Sequence, residues 1–220
     1  MIIFQTNFWR RTWEIWVLWF GHALCGASLG NIASGLTDIQ DSYLKDVLKT
    51  CTDLALFVIV NLHARIWFPA IPLIIVIGLL RGKTMRRWLD ILSALLITRF
   101  TYQLICANIF LFSPVLSGTT LLVEIIVLIP LSTIVFGWAY WRLDSNTRRT
   151  GREAIKFPQP PIVFDYFHYA GSALFAKGHL RSDALTKTAK AITFFQGLIL
   201  IDILALGLSR SIALAIKSSS

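Results

Sequence analysis

A chain of 220 residues with 55% hydrophobic and only 15% charged side chains, and with a mean hydropathy of +0.65, lies outside the range of soluble globular domains. Its apolar residues fall in blocks of about 20, the length an α-helix needs to cross hydrocarbon, which excludes the short alternating strands of a membrane β-barrel. The net charge of +9 sits in short clusters between those blocks rather than along one polar face, a pattern of membrane-protein loops and not of a nucleic-acid surface.

The first predicted helix runs from Thr12 to Ala33. Tryptophans at its start suit the headgroup interface. Gly26 and Gly30 make a GxxxG step that would admit a neighbouring helix, although small residues are common in membrane helices anyway. Arg10 and Arg11 ahead of an apolar run resemble a secretory signal, but Glu14 and His22 interrupt that run and no small-x-small cleavage pattern closes it. A first membrane helix is the expected reading.

Ser34 to Thr50 reads as a near-neutral polar linker. Leu54 to Leu80 is apolar but long, and it is broken by His63, Arg65, Pro69 and Pro72. One tilted, kinked span fits it, and so does an interfacial helix followed by a short span. Arg81, Lys83, Arg86 and Arg87 then form the densest basic cluster. The third predicted span is Trp88 to Phe112, and the turn at Pro114, Ser117 and Gly118 is short enough to make it an antiparallel pair with the fourth, Thr119 to Trp141. Arg142 to Lys156 reads as a basic loop, with five Lys or Arg against Asp144 and Glu153.

Phe157 to Lys177 opens with Pro158, Pro160 and Pro161 and is too polar and short to span. Its segment Phe164 to Phe175 is expected as a short helix that enters the membrane and returns on the same side, bounded by those prolines and by Gly178. A last span, Ala189 to Ile216, follows Ser182 or Asp183 as N-cap. The expected fold is an all-α polytopic membrane bundle of about five transmembrane helices, with a short re-entrant or interfacial helix before the last. Residues 1–118 would hold the N-terminal spans, and 119–220 the helix, re-entrant segment and final helix. Basic clusters place Arg10 and Arg11, Arg81 to Arg87 and Arg142 to Lys156 in the cytoplasm, as in a multi-pass protein of a bacterial inner membrane.

The C-terminal third carries an ordered set of elements: Phe136-Gly-Trp-Ala-Tyr-Trp-Arg-Leu-Asp144, Phe157-Pro-Gln159, Phe164-Asp-Tyr166, Leu185-Thr-Lys-Thr-Ala-Lys190, Gln196 and Leu208-Ser-Arg210. Over Phe136 to Ala213 this resembles the pore unit of bacterial potassium-channel-like integral membrane proteins. The resemblance implies a helix, a re-entrant segment and a second helix, a homo-oligomer, and a pore region at Leu174, Phe175, Ala176, Lys177 and Gly178. Potassium filters present backbone carbonyls from a Gly-aromatic-Gly stretch. Here that stretch is degenerate, without the pattern and with Lys177 inside it. Ion conduction is one expectation, and a non-conducting membrane scaffold or interaction protein is the alternative.

Ionisable residues within spans default to functional hypotheses. Arg99 and Asp202 lie at similar depth in their helices, which makes them candidates for an intramembrane ion pair, with Gln103 one turn from Arg99 on the same face. A purely structural pair is the plainer reading. Glu124 lies one turn into the fourth helix. Asp165, His168, Lys177, His179 and Asp183 gather in the re-entrant region without metal-site spacing, and read as a solvated loop. The aromatic run Phe164, Tyr166, Phe167 and Tyr169 reads as interfacial anchoring. Cys25, Cys51 and Cys106 are an odd set with no paired spacing. No catalytic triad, zinc helix, phosphate loop or dinucleotide pattern is present. The expectation is therefore a non-enzyme without metal or cofactor, whose partners are the lipid bilayer and copies of itself.

Overall fold

The structure, a computed structural model, describes residues 12–28, 85–112, 118–172 and 182–203, with scattered positions at 43, 45–47, 49–50, 53, 78, 207 and 212–213. Its helices are α1 (residues 12–28), α2 (Met85–Phe112), α3 (Gly118–Arg148), α4 (Val163–Ser172) and α5 (Lys187–Ile201). Among the described residues the chain is all-α apart from one two-residue antiparallel bridge, β1 (Ile155–Lys156) with β2 (Asp183–Ala184). Within α2 and α3, Arg86–Asn108 and Leu122–Arg148 are long and apolar enough to cross a membrane. The chain divides into two compact units, Met1–Glu124 and Ile125–Ser220. The division falls inside α3.

In the first unit α1 and α2 run parallel. Contacts climb together along both helices: Arg86 Nη1 to Glu14 Oε2 at 2.9 Å, His22 Nε2 to Leu92 O at 3.1 Å, and Gln103 Nε2 to Cys25 O at 2.8 Å. At the far end of α1, Ser28 donates to Glu124 in the second turn of α3. Ile15, Leu18 and Cys25 on α1 and Leu89, Leu96, Phe100 and Cys106 on α2 are buried, spaced at helical intervals on one face of each. Gly26, half of the GxxxG step, has nothing within 4 Å of a Cβ built on it, so it mediates no close approach among the described residues. Gly30 lies outside them.

In the second unit α3 continues seven residues beyond the expected end at Trp141. Arg148 bonds back to Asp144 at 2.6 Å and Arg142 to Asn146 at 2.7 Å, both one turn apart, so the first half of the expected basic loop is helix. Pro130 sits inside α3. Ser132 and Thr133 hydroxyls both bond back to Ile129 O, the carbonyl just before it. The chain leaves α3 through a tight turn in which Thr150 N and Arg152 N both bond Thr147 O. Gly151 takes φ +75°, a conformation that costs other residues about 1–2 kcal/mol.

The insertion of α4 follows from its contacts. It runs antiparallel to α3: Tyr166 meets Asp144, Tyr169 stacks edge-on against Tyr140 with centroids 4.9 Å apart, Phe167 abuts Gly137, and Gly171 lies beside Thr133. The helix therefore travels from near the Arg148 end of α3 to its middle, about 16 Å along the axis at 1.5 Å per residue. By Asp183 the chain is back at the Arg148 end, paired with Lys156. The N-cap of α5 is Thr186, whose hydroxyl accepts from Ala189 N, and not Ser182 or Asp183. Asp183 and Ala184 have their backbone committed to β1, so the helix starts only after that pairing ends. Antiparallel to α3 in turn, α5 sets Gln196 against Tyr140, while Gly207 beyond it approaches Ile125.

Candidate functional site

The centre of the second unit is Asp144, a carboxylate with no exposed surface. It accepts from Tyr166 Oη at 2.5 Å, Arg148 Nε at 2.6 Å, Ala154 N at 2.7 Å and Ile155 N at 3.2 Å. Four donors from α3, the following turn, β1 and α4 replace its water shell, the condition under which a buried charge is tolerated. Burial raises the Tyr166 phenol above the ordinary tyrosine value, and the Asp144 carboxylate raises it further. Tyr166 consequently keeps its proton and remains a donor to Asp144.

Deeper along α3, Gln196 is buried and uses both ends of its amide. Its Oε1 accepts from Tyr140 Oη at 2.7 Å and its Nε2 donates to Ala170 O at 2.7 Å. The second bond satisfies a carbonyl in the last turn of α4, where a helix otherwise leaves orphan acceptors. Tyr140 Oη also reaches Thr193 Oγ1 at 3.1 Å. One glutamine thus ties α3, α4 and α5 together at the inserted end of α4.

On the other side of α4 lies a cavity of about 410 Å³, lined among others by Phe157, Gln159, Asp165, His168, Tyr169 and Ser172. Asp165 opens α4 by accepting from Ile162 N through Oδ2 at 2.7 Å. The Phe157 ring meets Tyr166 at 5.0 Å and Tyr169 at 6.2 Å, edge to face in both cases. The aromatic run expected as interfacial anchoring is thus split. Tyr166 and Tyr169 are buried in the unit, and Phe164 is 69% exposed.

In the first unit, Arg99 Nη1 lies 3.0 Å from His22 Nδ1. Because a guanidinium only donates, His22 accepts at Nδ1 and carries its proton on Nε2, which donates to Leu92 O. Gln103 shares the Arg99 face, as expected from their spacing, but its bond goes to Cys25 O. Arg99 Nε and Nη2 and Gln103 Oε1 are buried without a partner among the described residues. Asp202, the expected partner of Arg99, belongs to the other unit, where it closes α5 as its C-cap.

The expected pore region, Leu174 to Gly178, lies outside the described residues, as do Lys177 and His179. Asp183 is in β2, while Asp165 and His168 line the cavity. Cys25 and Cys106 are buried and unbridged, in keeping with apolar filling. Among the described residues no three metal-ligating side chains come together. Of the elements carrying the resemblance, Asp144, Tyr166 and Gln196 are brought into hydrogen-bonded hubs, Phe157 and Gln159 line the cavity, and Thr186 caps α5. What sequence reasoning missed was the Asp144 hub. Its only local signal was an acid one turn before Arg148. Compared with known proteins, the chain matches no family model, no curated protein and no solved structure.

Proposed function

We propose that this chain is a multi-pass protein of a bacterial inner membrane, of potassium-channel-like type, that assembles as a homo-oligomer and passes ions beside its re-entrant helix. The observation that carries the reading is the path of α4: down α3 to mid-helix at Thr133 and Gly171, then back at the Arg148 end by Asp183. A helix inserted halfway between two antiparallel membrane helices is the layout of a two-helix pore unit. The C-terminal end of α4 points inward, where the negative pole of its dipole favours a cation.

The five-span topology has its own support. Because α1 and α2 run parallel, the connection between them has to return from one end to the other, and Leu54 to Leu80, which lies outside the described residues but for one position, is the apolar stretch the sequence supplies for that return. A second reading, a non-conducting scaffold, is favoured by the degenerate filter sequence around Lys177.

Purified protein in planar bilayers separates the two. Unitary currents carried by cations in preference to chloride are expected in symmetrical potassium chloride, and Gln196→Leu, which frees the end of α4, should change their amplitude or open time. Flat traces from protein that is folded and membrane-inserted would sink the channel reading and leave the scaffold.

A further inference from the structure

We infer that the cavity beside α4 is a binding site for an organic ammonium ion. The cavity belongs wholly to the Ile125–Ser220 unit, and its volume of about 410 Å³ falls in the range of small-molecule pockets. Two aromatic rings form one corner: Phe157 and Tyr169 have centroids 6.2 Å apart and planes inclined by 67°. Aromatic rings lining a pocket attract a cation that sheds water easily.

The charge balance selects the sign. Asp165 is the only acid among the described lining residues, and no lysine or arginine is among them, although the whole chain carries a net +9. Asp165 Oδ2 is taken by Ile162 N, which among the described residues leaves Oδ1 open to a ligand. An anion would face this carboxylate unpaired, so the ligand is cationic.

The wall chemistry selects the kind of cation. Hard metal ions need about six oxygen ligands in a close shell. Here one carboxylate sits among Phe157, Pro158, Pro160 and Ile162, with no cluster of three metal-ligating side chains among the described residues. A methylated ammonium places its charge beside Asp165 and its methyl groups against the rings and prolines. Free quaternary amines and the choline headgroup of a lipid share that chemistry.

Calorimetric titration of the full-length protein in phosphatidylglycerol nanodiscs tests the site. Choline and tetramethylammonium should bind saturably, one per chain. The neutral isostere 3,3-dimethylbutanol should bind about tenfold more weakly, since it keeps the shape and loses the charge. Asp165→Asn keeps an oxygen for Ile162 N and should also weaken choline about tenfold, and Phe157→Leu should weaken it several-fold. Adding phosphatidylcholine to the disc reports the source: competition identifies the headgroup, and no competition a soluble amine. Absence of saturable heat with either cation, or equal affinity for choline and its isostere, would overturn the site. The isostere comparison needs no variant, so it stands even where a substitution fails to fold. Binding is independent of conduction, so a silent bilayer recording leaves it in force.

Discussion

Asp144→Ala should destabilise the C-terminal unit by about 3–5 kcal/mol, read as a collapse of the thermal transition of the purified protein in detergent. The size follows from what the carboxylate leaves behind. Tyr166 is 3% exposed, and Ala154 and Ile155 are fully buried, so three donors lose their acceptor with no water to replace it. Arg148 is different, because a third of its side chain is exposed and it also bonds Glu153. Its removal should cost less, about 1.5 kcal/mol, because its own guanidinium regains water and the buried carboxylate keeps three other donors. Tyr166→Phe should fall between, at about 1.5–3 kcal/mol, since it deletes one bond to a charged acceptor that keeps three others. Amide exchange at Ala154 and Ile155 should accelerate in Asp144→Ala and stay slow in Arg148→Ala. Equal losses in the alanine variants of Asp144 and Arg148 would show that the buried carboxylate does not organise the unit.

Gly137→Val should be the next most damaging change, by about 3 kcal/mol, and it acts on the insertion of α4. A Cβ at position 137 would lie 2.6 Å from Phe167 Cδ1 and 3.0 Å from its Cα. The ring can rotate, but a backbone Cα yields only if α4 moves. Two effects oppose each other in Gly137→Ala: helix propensity gains up to about 1 kcal/mol, while overpacking costs about 1–3 kcal/mol. Because the obstacle includes backbone, the loss should win. Gly197→Ala on α5 is the matched control, with nothing within 4 Å of the added carbon. It should be neutral or raise the melting temperature. A Gly137→Ala protein as stable as the Gly197→Ala protein would mean that α4 is not seated against α3 as described.

Helix identity was legible because it depends on quantities the sequence carries locally. α2 was expected from Trp88 to Phe112 and spans Met85–Phe112, and the segment predicted from Phe164 to Phe175 appears as Val163–Ser172. Run length, prolines before and apolar content set those limits. Errors fell where distant backbone intervened. The start of α5 moved to Thr186 because Asp183 and Ala184 pair with a strand near residue 155, and nothing near residue 183 announces that partner.

The chemistry of individual side chains was legible only in part. Asp144 lies among arginines in a stretch that reads as a solvated basic loop, and its burial results from donors 10, 11 and 22 residues further on. Nothing near Arg99 announces His22, which comes from a helix 77 residues earlier. Tyr166 and Tyr169 looked like interfacial anchors because aromatic side chains serve there equally well, and only the approach of α3 turns them inward.

By itself, then, the sequence determined the helical class of this protein, the rough limits of the described helices and two stretches long and apolar enough to cross a membrane. Hydrophobic length and clustered charge act within one helix or one loop. Only the tertiary structure decided that α1 and α2 run parallel, that α4 follows α3 down to Thr133, and that Asp144 and Gln196 tie α3, α4 and α5 together. Those outcomes depend on which donors meet which acceptors across tens of residues, where burial makes each unsatisfied group expensive enough to choose the partner.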